Sequence, residues 1–380
     1  MKLIDMYKNL VDKLVDPFNS QKLSLVVFEE TKNRIIEGYL KNEDGEIYPI
    51  ISSVPCFLKG ELEPDFYNFY LKHNINHNNQ ILQNERRQNQ AKTNDTFSDK
   101  WKRFTEYGLN SDHQEFLFDW YQKKFGVSNR EELKKFYAQF DSILECGPGS
   151  GFHSKHMAET NSKASVYALD VSDAAFTTQR NTSHLENCFV VQADLNDAPF
   201  PKNEFDFIVA DGVLHHTPNT RQAVESLYHH VKPGGKFFFY VYRKMGAARY
   251  FVDQHIRNEF KNLETEECYK ACEPITDLGK RLSEIEQTIT LEKPIDVLGI
   301  PAGEHNIQRL FYYNFVKCFW NDAFDYETNN MVNFDWYHPH NAWQHTDEEV
   351  IDWVKDLGVS EFQINDSNPN GISMLLTKPE

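Results

Sequence analysis

The stretch Ile143-Leu144-Glu145-Cys146-Gly147-Pro148-Gly149-Ser150-Gly151 decides the fold. Its apolar start reads as a buried strand that ends at an acid, and glycines at every second position then force a tight turn ahead of a helix. Gly147, Gly149 and Gly151 remove side chains where a ligand must touch backbone, and they permit backbone angles closed to other residues. Glu145 places a carboxylate at the mouth of that turn. A nucleoside-containing cofactor fits such a strand-turn-helix unit.

Outward from this run the pattern alternates. Strands are expected at 142–146, 165–171, 188–194, 205–211 and 236–242, with helices at 152–161, 173–184 and 219–231. Apolar strands separated by helices make a parallel sheet covered on both faces. A helix at 348–357 and strands at 360–364 and 372–377, a closing hairpin, complete the set. The expected class is α/β: a Rossmann-like, seven-stranded, mostly parallel sheet with helices on both faces.

Around this core, residues 1–60 read as a small α+β module, 61–140 as a linker with N-terminal helices, 141–242 as the cofactor-binding core, 243–345 as a helical, aromatic-rich lid insertion, and 346–380 as the closing helix and strands. In the module, Leu3, Met6, Leu10 and Leu14 fall at helical spacing, Pro17 stops that helix, and Asn42-Glu43-Asp44-Gly45 signals a hairpin. Residues 71–99 are rich in Asn and Gln and read as a linker or a loosely packed helix.

The formal charge of −17 over 380 residues counts against a broad nucleic-acid or anionic-membrane surface, which needs clustered Lys and Arg. No stretch has the length and apolarity of a membrane span, and the start lacks an apolar signal core. The six cysteines (56, 146, 188, 268, 272 and 318) contain no C-x-x-C pair and read as reduced thiols of a cytoplasmic protein.

The strand ends carry the chemistry. The second strand ends Ala168-Leu169-Asp170, 19 residues after Gly151, and a carboxylate there can accept hydrogen bonds from both hydroxyls of a ribose. The third ends in Asp194 and Leu195, suited to an adenine amino group and ring face. The fourth runs Asp211-Gly212-Val213-Leu214-His215-His216, which puts polar groups where the reactive end of a cofactor would lie. A dinucleotide site wants G-x-G-x-x-G, whereas the spacing here is G-x-G-x-G behind Glu145. An acid at that place repels a diphosphate but suits a cation, such as the amino group or sulfonium of S-adenosylmethionine.

Residues 142–242 resemble the class I S-adenosylmethionine-dependent methyltransferases, through Leu144–Gly151, Ala193–Leu195, Gly212–Pro218 and Val231–Lys236, the last with its Lys-Pro-Gly-Gly turn. The resemblance implies S-adenosylmethionine as cofactor, with Glu145, Gly147, Gly149 and Gly151 at its methionine end and ribose, Asp170 on the ribose diol, and Asp194 and Leu195 at adenine. Asp211 joins them as a cofactor-side residue or a loop cap. Residues 1–60 resemble the small zinc-ribbon-like activators of tRNA methyltransferases, but the expected C-P-x-C stands here as Asp16-Pro17-Phe18-Asn19 and the hairpin pair falls near Asn42 and Gly45. A tetrahedral zinc site needs four N or S ligands, so no metal is expected.

His215 and His216 are the candidate general bases or acceptor-positioning groups, with a purely structural role open for either. Trp101, Tyr107, Tyr242, Tyr313, Trp336 and His338 are the candidate substrate lid. Their aromatic character points to a small organic acceptor with an apolar part. Methyl transfer to RNA or protein, and a non-catalytic protein that keeps the fold, are the alternatives. Homo-oligomerisation stays open.

Overall fold

The computed structural model describes residues 10–31, 34–62, 66–75, 85–365 and 369–380. Leu3 and Met6 of the expected first helix lie outside these residues, while Leu10 and Leu14 are buried in the core.

One seven-stranded sheet organises the chain. Its first strands are β5 (Ser142–Cys146), β6 (Ser165–Asp170) and β7 (Cys188–Gln192), followed by β8 (Phe205–Asp211) and β9 (Val231–Tyr242). β12 (Phe362–Asn365) and β13 (Gly371–Thr377) close it, in the order β12-β13-β9-β8-β5-β6-β7. β5 pairs parallel with both β6 and β8, and β13 pairs antiparallel with β9 and β12. Strand order therefore reverses between β5 and β8, and a crevice opens beyond their carboxyl ends, the usual ligand position in doubly wound sheets. Helices α5 (Phe152–Thr160), α6 (Ala174–Thr182) and α7 (Thr220–Tyr228) follow β5, β6 and β8 in chain order. β9 is longer than the sequence suggests. Val231 pairs with Phe205 and Lys236 with Phe207, so the Pro233-Gly234 turn is a bulge inside the strand rather than its approach.

The N-terminal module is a four-stranded antiparallel sheet, β1 (Ser24–Glu30), β2 (Ile35–Lys41), β3 (Ile47–Ile51) and β4 (Val54–Pro55). It is joined to the core rather than tethered beside it. Cys56 bridges Gln192 of β7, Phe57 N–H donates to Gln192 O at 2.8 Å, and Val15 N–H donates to Pro199 O at 3.0 Å. An edge strand that would otherwise present unpaired backbone is thereby covered. Buried Asp16 ties the module together. Its carboxylate accepts from Phe18 N at 2.8 Å, Asn19 N at 3.1 Å, Asn42 Nδ2 at 2.7 Å and Tyr48 OH at 2.8 Å.

Between module and core lie α1 (Tyr67–Lys72), α2 (Glu85–Arg103), α3 (Ser111–Phe125) and α4 (Arg130–Tyr137). The polar segment 71–99, read as a linker or loose helix, holds most of the 19-residue α2, which runs on to Arg103. Its Gln90, Thr93, Asn94 and Thr96 are buried. Polar composition misleads here because Gln90, Thr93 and Asn94 are satisfied by one another and by Asn341 once buried.

The insertion after β9 folds as α8 (Ala247–Phe260), α9 (Thr265–Ser283), a hairpin of β10 (Thr288–Leu291) and β11 (Gly303–Asn306), α10 (Ile307–Asn314) and α11 (Tyr326–Tyr337). It leaves and returns at one place: His345 N–H donates to Tyr242 O at 2.9 Å and Lys244 N–H to His345 O at 2.8 Å. Helix α12 (Asp347–Asp356), capped by Thr346, leads to the closing hairpin.

Candidate active site

A cavity of about 630 Å³ opens at the carboxyl ends of β5, β6 and β8 and is roofed by α2, α3 and the lid insertion. That is ample for a nucleoside cofactor with a small acceptor beside it.

Gly147, Pro148 and Ser150 of the glycine turn line it, whereas Gly149 and Gly151 pack against Trp101 and Thr178 behind the wall. Gly147, Gly149 and Gly151 adopt φ of +71°, +59° and +84°, the left-handed region that favours glycine. At Gly149 space is as limiting as angle: a Cβ there would stand 2.4 Å from Cζ2 of Trp101 on α2. Trp101 is thus packed down on the turn. Gly149→Ala is expected to combine left-handed strain of about 1–2 kcal/mol with displacement of the indole. Cofactor affinity should fall about tenfold or more, with a changed tryptophan emission. Titration of the variant checks both, and unchanged affinity would show that Trp101 does not set the shape of this wall.

The acids of the strand ends converge on the cavity, and Glu145, Asp170, Asp194 and Asp211 all line it. Glu145 is buried, held by Ser154 Oγ and with His153 Nδ1 at 3.3 Å, while His153 Nε2 meets Tyr137 OH at 2.7 Å. Asp170 Oδ1 accepts from Ser172 N at 2.8 Å and Ser172 Oγ at 2.7 Å. Burial outweighs these bonds and pushes its carboxyl up to about 6. Asp194 Oδ1 accepts from Asn196 N at 2.9 Å, capping a short turn, with buried Leu195 next to it. Asp211 is paired with Lys124 of α3.

Lys124 carried no recognisable signal in the sequence. It is buried, and its ammonium lies 4.2 Å from the centre of the Trp120 ring and 3.8 Å from that of Tyr240. Burial lowers it to about 8 against the opposing pull of Asp211.

The two adjacent histidines are placed differently. His216 lines the cavity, and its Nδ1 is 2.7 Å from the carbonyl of Asn341. A carbonyl only accepts, so Nδ1 carries the hydrogen and Nε2 keeps a free lone pair. Burial drops His216 to about 3. His215 does not line the cavity. It is fully buried, its ring stacks on Tyr242 at 3.6 Å, and neither ring nitrogen has a hydrogen-bond partner among the described residues.

Of the expected lid aromatics, Trp101, Tyr107, Tyr242, Tyr313 and Trp336 line the cavity. Trp101 and Tyr107 reach it from the α2 side rather than from the insertion. His338 lies off the cavity, its Nδ1 2.8 Å from Thr96 Oγ1 and its ring stacked on Phe334. No group of three or more His, Cys, Asp or Glu among the described residues could hold a metal ion. No helix among them is long and apolar enough to cross a membrane.

Residues 144–239 match the family model described as a methyltransferase domain. The chain carries a methyltransferase domain. The chain is similar to 2-methyl-6-phytyl-1,4-hydroquinone methyltransferase, chloroplastic, of Arabidopsis thaliana, 27% identical over 113 residues, 29% of this chain and 33% of that protein. It is also similar to a protein named arginine-hydroxylase NDUFAF5, mitochondrial, of Rattus norvegicus, 27% identical over 122 residues, 32% of this chain and 34% of that one. The chain spans about a third of the length of these curated relatives. A solved N-methyltransferase NodS from Bradyrhizobium japonicum, in complex with S-adenosyl-L-homocysteine, overlays at TM-score 0.36 and 12% identity, over 75% of this chain and all of that one.

S-adenosylmethionine is the cofactor of the class, and the residues of the methyltransferase domain fit it. A buried carboxylate at Asp170 has one oxygen engaged by Ser172, and a second acid, Glu145, stands at the glycine turn. The turn itself is a cradle that a Cβ would fill: at Gly147 it would come within 2.9 Å of Val213. None of this suits a diphosphate, which needs unopposed backbone donors without an acid beside them.

Proposed function

We propose that this protein transfers a methyl group from S-adenosylmethionine to a small organic acceptor held beneath the lid. The cavity carries this reading: it is of a size for a cofactor with a small acceptor, and it runs from the acids of β5 and β6 to lid residues Tyr312, Tyr313 and Trp336. When bound, the cofactor supplies a methyl group on a sulfonium, already activated for in-line displacement. The chain's task is then to hold, orient and exclude water. Glu145, fixed by Ser154 and His153, would hold the amino end, Asp170 the ribose hydroxyls, and Asp194 with Leu195 the adenine. Trp101 and Tyr107 close the cofactor side.

Near neutrality His216 is uncharged and too weak a base to take a proton efficiently, since its acid form titrates near 3. We read it as a hydrogen-bond acceptor that positions the substrate, and His215 as packing beneath Tyr242. The N-terminal module, with Asp16 joining its loops, is read as a brace on β7 rather than a metal-dependent partner site.

The test has two stages. Calorimetry with S-adenosylmethionine should show binding; its absence defeats the reading. Incubation with methyl-labelled cofactor and separated pools of metabolites, RNA and protein should place label in the metabolites. Label confined to RNA or protein would overturn the small acceptor.

A further inference from the structure

On the lid side of the cavity one buried cation is left without a partner. Lys317, in the segment between α10 and α11, is 7% exposed and lines the cavity. Its ammonium lies 4.3 Å from the centre of the Trp336 ring and 5.7 Å from that of Tyr312, and no hydrogen-bond or ion-pair partner stands near it among the described residues.

The acids close to it are already engaged. Asp253 pairs with Arg249 at 2.5 Å and Asp335 pairs with Lys100. Arg257 donates to Ala342 O at 3.0 Å, and its Nε and Nη2 have no partner among the described residues. Four cations, Arg249, Arg257, Lys100 and Lys317, thus share two carboxylates. Burying an unpaired ammonium is costly, so such a group tends to shed its proton unless a counter-charge is present.

Nor is Lys317 there by looseness. Its N–H donates to Asp253 Oδ1 at 3.2 Å and its carbonyl accepts from Tyr337 OH at 2.9 Å. Two residues on, Phe319 N–H donates to Asn333 Oδ1 at 2.7 Å, and Phe319 O accepts from Asn333 Nδ2 at 3.1 Å. The backbone is pinned on both sides of a side chain whose charge is left for the cavity. Arg309 of α10, exposed, also lines it and adds a second positive group.

We propose that Lys317 anchors an anionic group of the methyl acceptor, a carboxylate or a phosphate, with Tyr313 and Phe319 beside its apolar part. This rests on the methyl-transfer reading above. Burial lowers the ammonium to about 7, so an empty site can shed its proton near neutrality and regain it with the anion. The charges facing it are Arg249, Asp253 and Arg257 from α8 and Asp335 from α11.

The full chain, saturated with S-adenosylhomocysteine, is titrated separately with inorganic phosphate and with benzoate, followed by calorimetry and tryptophan emission. At least one anion is expected to bind, and which one does assigns the group. Lys317→Met should weaken it about tenfold or more, and Lys317→Arg should restore part of the loss. Benzoate affinity, if present, should fall as pH rises through about 7. Affinity for S-adenosylhomocysteine should be unchanged in Lys317→Met, with circular dichroism confirming the fold. Absence of both anions from the loaded wild type, equal binding by a folded Lys317→Met, or loss of S-adenosylhomocysteine affinity in that variant would each overturn the proposal. The last would assign the ammonium to the cofactor's own carboxylate. Failure of the wild type to bind S-adenosylhomocysteine at all would instead defeat the methyltransferase reading.

Discussion

Replacing Asp170 with Asn is expected to weaken S-adenosylmethionine binding by about 30-fold or more while leaving the protein at least as stable as wild type. Hydrogen bonds to a charged acceptor contribute roughly 1.5–3 kcal/mol each, and the ribose diol would make two, so the loss exceeds about 2 kcal/mol. Asn keeps one acceptor for Ser172 but cannot take both hydroxyls. Stability moves the other way because burial dominates at this residue and raises its carboxyl to about 6 in the folded state, against about 3.9 unfolded. A raised acid pKa means that the ionised form costs stability above 6, and that the cost is relieved as pH falls through that value. The variant never carries it. Cofactor affinity depends on pH in the opposite sense: hydroxyl donors select the ionised carboxylate, so wild-type affinity should decline as pH falls through about 6, and the variant's should be flat there. Calorimetry across that range and thermal melts near neutrality check both halves. Wild-type affinity in the variant would remove Asp170 from the cofactor site.

Asp253→Ala should be the most destabilising single change in the lid, at about 3–5 kcal/mol, because it strands a buried guanidinium. Arg249 and Asp253 are both fully buried. The same carboxylate accepts from Trp336 Nε1 at 2.8 Å, from Tyr337 OH at 3.1 Å and from the backbone of Lys317. Ala removes all of these acceptors at once. Asp253→Asn should cost less, since one oxygen remains. The double change Arg249→Met with Asp253→Ala should recover part of the loss, because no unpaired charge is left. Urea midpoints followed by tryptophan emission would measure the series. A midpoint within experimental error of wild type for Asp253→Ala would mean that water reaches Arg249 and the lid core is not closed.

Both sites show how unevenly function was legible. The strand-turn-helix at Glu145–Gly151 and the cavity positions of Asp170 and Asp194 were readable because they are local: each stands at or just beyond a strand end, where backbone geometry sets the position before any tertiary contact forms. Helix α2 was harder. Its Asn- and Gln-rich sequence has no apolar stripe to announce burial, since Gln90, Asn94 and Thr93 line the cavity and hydrogen-bond to one another and to Asn341. His338 looked like a lid residue because it sits among aromatics, yet a helix presents successive residues to different sides. Trp336 faces the cavity while His338 turns to Thr96.

By itself the sequence determined the α/β alternation, the seven-strand plan, the glycine turn and the acids that suit S-adenosylmethionine over a dinucleotide. All of these follow from periodicity and from backbone angles within a few residues. Only the tertiary structure decided that the N-terminal sheet docks on β7, that Lys124 pairs with Asp211 between two rings, that His216 faces the cavity and His215 does not, and that Lys317 is buried with no ion-pair partner among the described residues. Those outcomes depend on which charges and rings meet across long stretches of chain. A lone lysine in a sequence is indistinguishable from a solvated one until the walls around it are in place.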